Sequence, residues 1–242
     1  SLVIIRRQSL PFKLTRADIH INSEIKNFLK IGSPIALQEI LTEISFLALC
    51  AFINRLGLDE SSGYGVASKI VSFVMLIPSS LMQSMASFIS QNVGAGKENR
   101  AKKAMATGML LGASIGVIIS TLAFFKGDLL ASVFSGDKDV VACAADYLKG
   151  FSIEAVVTCI LFSFIGYFNG HGLTLWVMCQ GIAQTFLVRL PVSFIMSIQP
   201  DATLTMIGIA APLATLFGIA INIIMFFVMR KRFEKPDRVL KG

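Results

Sequence analysis

Six long apolar runs, separated by short polar gaps, occupy most of the chain: residues 33–54, 65–89, 104–125, 140–168, 174–197 and 203–229. A helix needs about 20 mostly apolar residues to cross the hydrocarbon of a bilayer, and each run reaches that length. Strands of a membrane barrel alternate apolar and polar residues over about ten positions. These runs do not alternate. The pattern predicts an all-α membrane protein, a bundle of six transmembrane helices.

The remaining segments divide the chain further. Residues 6–30 are polar and basic, yet Ile21, Ile25, Phe28 and Leu29 recur at helical spacing. That suits a short amphipathic helix lying on the inner membrane surface; a solvated linker is the plainer alternative. The predicted organisation is a linker with an interfacial helix (1–32), a six-helix transmembrane lobe (33–229) and a basic cytoplasmic tail (230–242). The chain opens Ser1-Leu2-Val3-Ile4-Ile5 and then Arg6-Arg7, without an initiator Met. This reads as the end of a helix continuing from upstream, and the chain is expected to be a fragment.

Composition agrees with the hydropathy pattern. Charged residues make up 15% of the 242, and the mean hydropathy is +0.71; soluble domains carry roughly 25% charged residues. A net charge of +7 could suggest nucleic acid, but its placement argues for a membrane. Of the Lys and Arg outside the spans, 16 fall in residues 1–30, in the gap between the second and third runs, and after Met229. The opposite side holds three: Arg55, Lys126 and Lys138. Loops rich in Lys and Arg stay in the cytoplasm. The bias predicts a multi-pass protein of the cell's inner (plasma) membrane with both ends of the chain cytoplasmic.

Several motifs narrow the chemistry. Pro34 opens the first run, where a missing N–H costs nothing. Pro78, Pro191 and Pro212 fall inside the second, fifth and sixth runs, where each removes a backbone hydrogen bond and kinks its helix. Three such kinks favour a protein that bends or rocks. Gln91-Asn92-Val93-Gly94-Ala95-Gly96-Lys97 has the glycines of a phosphate loop, but no GxxxxGK[ST] follows a strand. A tight turn between two spans explains them. Cys50, Cys143, Cys159 and Cys179 lie in or beside apolar runs without a CxxC pair, and two histidines are too few for a transition-metal site. No cofactor is expected, and no catalytic constellation is visible, so the chain is not expected to be an enzyme.

Ionisable residues inside a span are costly, by roughly 2.5–3.5 kcal/mol on insertion scales, and are functional suspects by default. The first run carries Glu39 and Glu43, four apart and therefore on one helix face. Glu43 lies about 13–14 Å beyond Pro34, near mid-bilayer. The fourth run carries Glu154, with Asp146 and Lys149 nearer its outer end. Lys69 and Arg189 lie in the second and fifth. Paired carboxylates in a low-dielectric medium do not readily both ionise, so such a pair can trade a proton or Na⁺ with the solution. Glu43, Glu154, Glu39 and Asp146 are the candidates for cation coupling or substrate contact, with Na⁺ at Glu43 and Glu154 as the one metal considered. Purely structural pairs, Glu154 with Arg189 and Glu43 with Lys69, are the alternative. Among Phe46, Met75, Met82, Met85, Phe162, Phe164 and Phe168, a minority would line a wall adaptable to greasy solutes.

Gly32-Ser33-Pro34-Ile35-Ala36-Leu37-Gln38, Asn54-Arg55-Leu56-Gly57, the Gln91–Lys97 stretch followed by Arg100-Ala101, Val188-Arg189-Leu190-Pro191, and Gly166-Tyr167-Phe168-Asn169-Gly170-His171-Gly172 occur in this order. Together they resemble the C-terminal half of a multidrug and toxic compound extrusion (MATE) family transporter. The resemblance implies one lobe of a twelve-helix protein whose two six-helix lobes are related by pseudo-two-fold symmetry. It implies a secondary antiporter exporting drug-like, often cationic organic solutes in exchange for Na⁺ or H⁺. The implied partners are the lipid bilayer, the N-terminal six-helix lobe and small organic solutes, with no nucleic acid. The six runs become spans seven to twelve, and the acidic residues of spans seven and ten fall on Glu43 (or Glu39) and Glu154. The resemblance leads one to expect Asp in span ten, where this chain has Glu.

Two other readings compete. A lipid or lipid-linked oligosaccharide flippase of the same superfamily would favour several Arg and Lys in its cavity. An oligomeric six-span channel or carrier would need a filter motif or repeated PxDxxK-type motifs, and neither is seen.

Overall fold

A computed structural model describes residues 23–233. Residues 1–22 and 234–242, which hold most of the expected linker and basic tail, lie outside the described residues. Every regular element described is helical: α1 (Ser23–Ile53), α2 (Leu58–Gly94), α3 (Glu98–Phe125), α4 (Gly127–Ser132), α5 (Lys138–Phe151), α6 (Glu154–Gly170), α7 (Thr174–Ala183), a π-helical turn (Gln184–Arg189), α8 (Leu190–Ser197), α9 (Leu204–Gly208) and α10 (Ala210–Phe233). Five stretches are long and apolar enough to cross a membrane: Phe28–Ile53, Leu58–Gly94, Glu98–Phe125, Thr174–Ser197 and Leu204–Met229. The sixth is a bent pair, α5 and α6, meeting at 47°.

The sequence reading is corrected at two places. Pro34 does not open a helix, because α1 begins at Ser23 and runs through it. The Lys30 carbonyl therefore loses its usual intrahelical donor. The fourth run is not one straight helix. At its break the ladder gives way to i,i−3 bonds: the Ser152 N–H and hydroxyl both donate to the Lys149 carbonyl, at 3.4 and 2.8 Å, and Ala155 N–H donates to the Ser152 carbonyl at 3.3 Å.

The other prolines differ among themselves. Helix α2 continues through buried Pro78. Pro191 lies two residues after the end of the π-helical turn, and Pro212 lies three residues after the interruption at Ile209. Each of these two breaks falls on the N-terminal side of its proline, where the ring crowds the carbonyl of residue i−4.

Two turns of one design close the same end of the bundle. Between α2 and α3, Lys97 N–H donates to the Asn92 carbonyl at 2.8 Å, and Gly96 holds φ +70. Between α6 and α7, Leu173 N–H donates to the Phe168 carbonyl at 2.9 Å, and Gly172 holds φ +73. This helix closure needs a left-handed residue just past the last turn, a position that glycine takes without strain.

Glycines also let α3 lie close against α6. A Cβ at Gly116 would come within 2.7 Å of the Ala155 carbonyl oxygen and 2.8 Å of Val156 Cα, and one at Gly112 within 3.0 Å of Cys159 Cβ. Small residues spaced by four are how helices approach in lipid, where packing rather than water exclusion drives association.

The buried apolar residues fall into two clusters. One gathers Leu49, Ile53, Tyr64, Ile70, Tyr147, Leu148, Phe151, Leu204 and Ile207. The other gathers Met85, Ile89, Met105, Leu161, Phe164, Ile165, Tyr167 and Phe168. Along the fourth span the first cluster ends at Phe151 and the second begins at Leu161. The polar residues Ser152, Glu154 and Thr158 are buried between them. Many large apolar side chains point outward instead, among them Leu47, Phe73, Leu110, Ile118, Leu187, Ile224 and Phe227. A water-soluble surface does not tolerate patches of that extent; hydrocarbon does.

Candidate functional site: a charged cavity between the spans

Glu154 is the first residue of α6, placed there by the break that ends α5. It is 8% exposed. Its Oε1 accepts hydrogen bonds from Thr158 Oγ1, one turn along the same helix, and from Thr215 Oγ1 of α10, both at 2.8 Å. Its Oε2 is buried and has no hydrogen-bond partner.

The carboxylate lines a cavity of about 330 Å³ walled by α1, α2, α6, α7, the π-helical turn and α10. Glu39, Glu43 and Arg189 line the same cavity. Three of the four predicted carboxylates are thus brought together. Glu39 and Glu43 are exposed on the open side of α1, whereas Glu154 is deep. Glu43 also lines an adjoining cavity of about 400 Å³ with Tyr64, Ser68 and Tyr147, so it stands where the two meet. Among the described residues, no three His, Cys, Asp or Glu side chains converge as metal ligands.

The fourth carboxylate is elsewhere. Asp146 is exposed on α5 and holds Lys149 Nζ at 3.0 Å, an ordinary i,i+3 surface pair. Lys69 is also exposed and does not line the cavity. Its long stem can carry the ammonium toward the membrane surface.

Neither structural pair suggested by the sequence forms as a contact. Glu43 and Lys69 are not bridged: Lys69 is exposed and lines neither of the cavities that Glu43 lines. Glu154 takes threonine hydroxyls, and Arg189 instead stacks on Phe46 of α1, with its guanidinium carbon 4.0 Å from the ring centroid. A flat guanidinium over an aromatic face keeps its charge without a carboxylate partner. The π-helical turn sets the position of Arg189, since its extra residue per turn rotates the side chains that follow.

Of the apolar candidates, Phe46, Met75, Met82 and Phe162 line the cavity. Met85, Phe164 and Phe168 belong to the buried cluster. Farther along the cavity stand uncharged polar groups that sequence reasoning did not single out: Gln38, Asn169, Gln180 and Gln184. Gln180 Nε2 donates to Gln184 Oε1 at 2.7 Å, while Gln180 Oε1 and Asn169 Oδ1 are buried without partners.

A second polar cluster was also missed. Tyr167 Oη donates to Glu98 Oε1 at 2.5 Å, and His171 Nε2 lies 3.0 Å from Glu98 Oε2. His171 Nδ1 lies 2.9 Å from the Tyr167 carbonyl oxygen. Both ring nitrogens face acceptors, and the His171 side chain is 2% exposed. The cluster ties the start of α3 to the end of α6. Its only trace in the sequence was that its members flank the two glycine turns.

A helical bundle of membrane-crossing length, with ionisable side chains around a solute-sized cavity, defines a polytopic membrane protein of transporter type. The family described as MatE matches residues 34–195, and the chain belongs to that family. The probable multidrug resistance protein YoeA of Bacillus subtilis is 24% identical over 209 residues, covering 81% of this chain and 43% of that protein. The multidrug export protein MepA of Staphylococcus aureus is 29% identical over 193 residues, covering 78% and 41%. Among solved structures, a MATE crystallised in complex with MaL6 superposes with a TM-score of 0.80 at 15% identity, covering 96% of this chain and 52% of that one. A MOP superfamily transporter from Pyrococcus furiosus gives 0.77 at 16%, covering 88% and 48%. These structural likenesses show the fold. The chain spans about half the length of the relatives it matches.

Proposed function

We propose that this chain is the C-terminal lobe of a secondary antiporter that exports drug-like, often cationic organic solutes in exchange for Na⁺ or H⁺. The observation that carries the reading is Glu154: a buried carboxylate, bonded at one oxygen and bare at the other, in the same cavity as Glu39 and Glu43. A buried acid with an unspent oxygen is poised to take a proton or a cation.

The division of labour follows from depth. Glu154 holds the coupling ion, while Glu39 and Glu43, on the open face of α1, meet the solute. Phe46, Met75, Met82 and Phe162 supply an apolar, deformable wall. Arg189, held on Phe46, is a fixed cation that repels a solute of the same sign from its end of the cavity. Three carboxylates against one guanidinium favour cationic cargo over the anionic headgroups that a lipid flippase would handle.

The open side of α1 receives the N-terminal lobe, and rocking of the two lobes exposes the cavity to alternate sides. The lobe sits in the inner (plasma) membrane with the Gly96 and Gly172 turns facing the cytoplasm, as the distribution of Lys and Arg requires.

The test is efflux from proteoliposomes holding the full transporter under separate Na⁺ and proton gradients. Coupled export of a cationic dye under one gradient supports the reading. Export that ignores both gradients contradicts it.

A further inference from the structure

Two threonines from different spans place their hydroxyls on one oxygen of Glu154 and none on the other. Thr158 and Thr215 both donate to Oε1, each at 2.8 Å. Thr158 is 2% exposed and Thr215 is 2% exposed, so water does not easily replace either bond. A carboxylate oxygen accepts about two strong hydrogen bonds, one per lone pair. Oε1 is therefore spent, and Oε2, buried without a partner, is the atom left to react.

We infer that Thr215 is a positioning residue which, with Thr158, orients the Glu154 carboxyl so that Oε2 alone exchanges its proton with the cavity. This rests on the reading of Glu154 as the coupling acid and adds how that acid is held. Thr158 shares a helix with Glu154 and moves with it. Thr215 comes from α10, sixty-one residues away in sequence, so its bond ties the fourth span to the sixth. In the protonated acid, Oε1 is the carbonyl oxygen and receives both hydroxyls, and Oε2 bears the hydrogen. On release the Oε2–H bond breaks, the proton passes to water in the cavity, and the bonding pair stays on Oε2. The two hydroxyls remain on Oε1 throughout, so the group need not rotate between cycles.

A hydroxyl bonded to the carboxyl shifts its vibrations, whereas one that only packs beside it does not, which gives a direct readout. Infrared spectra of the full transporter in lipid bilayers would be taken across pH, with the Glu154 bands assigned by their loss in Glu154→Gln. At low pH the protonated C=O stretch is read; at high pH, the carboxylate pair. In Thr215→Val the C=O band moves to higher frequency, or the carboxylate splitting changes, because one donor to Oε1 is gone. Thr215→Ser restores the native band. Should Thr215→Val fail to fold, Thr215→Ala removes the same hydroxyl with no added bulk and gives the same readout. Glu154 bands that ignore loss of the Thr215 hydroxyl overturn the inference while leaving coupling at Glu154 intact. Shifted bands together with undiminished ion-driven efflux by Glu154→Gln in the full transporter would uphold the geometry and sink the coupling reading instead.

Discussion

The Arg189 guanidinium carbon sits over the Phe46 ring, 4.0 Å from its centroid. This contact joins the fifth span to the first, and both residues line the cavity. It leaves Glu154 to the threonines and places a positive charge in the same cavity as three carboxylates. The π-helical turn at Gln184–Arg189 makes the stacking possible.

Arg189→Lys keeps the charge and loses the stack, since an ammonium lacks the planar fork. The substitution is expected to destabilise the chain by about 0.5–2 kcal/mol, read as a lower denaturation midpoint in detergent. Phe46→Leu should give a similar loss, and the double variant should lose little more than either single one. Additive losses would show that the two residues are not coupled.

Gly116→Leu tests the close approach of α3 to α6. A Cβ there meets the Ala155 backbone at 2.7 Å, so helix must move away from helix. The expected cost is about 1–3 kcal/mol or more, measured by denaturant titration. Gly65→Leu, at a position where a Cβ meets nothing within 4 Å, is the matched control and should cost much less.

Glu98→Gln removes the charged acceptor shared by Tyr167 and His171. Loss of a hydrogen-bonded charge in a mostly buried cluster costs about 1–3 kcal/mol. The effect should be local. Hydrogen exchange is expected to rise at the start of α3 and the end of α6 and to stay unchanged around Glu154. A uniform rise across the chain would contradict the assignment of this cluster as a local tie.

Single cysteines at Gly96 and Gly172, in a background lacking the four native cysteines, should react with an impermeant thiol reagent only from the cytoplasmic side. Cysteines at Arg55 and Lys138 should react only from the opposite side. Labelling of Gly96 and Arg55 from the same side would refute the predicted orientation.

How much of this was legible depended on the range of the physics involved. The spans were readable because lipid imposes length and hydropathy on each helix separately, and the three cavity carboxylates stood out because charge inside an apolar run is rare. Asp146 and Lys69 stood out by the same rule, yet both reach the surface; hydropathy registers depth along a helix but not the face on which a residue sits. The bend at Ser152 was hidden because no proline marks it, and Gly150 two residues before does not by itself distinguish a bend from close helix packing. Thr158 could have been suspected, one turn from Glu154. Thr215 could not, because its partner is in another span and pairing between spans leaves no local pattern. Arg189 was paired with a carboxylate by charge alone, whereas the π-helical turn that directs it to Phe46 is set by how the helices pack.

The central claim is that Glu154 couples ion entry to solute export. Its most direct test is efflux of a cationic dye from proteoliposomes containing the full transporter, comparing native protein with Glu154→Gln under the driving gradient and without it. The account predicts that the variant loses gradient-driven export but still exchanges dye down the dye's own gradient. Native gradient-driven export by Glu154→Gln would contradict it.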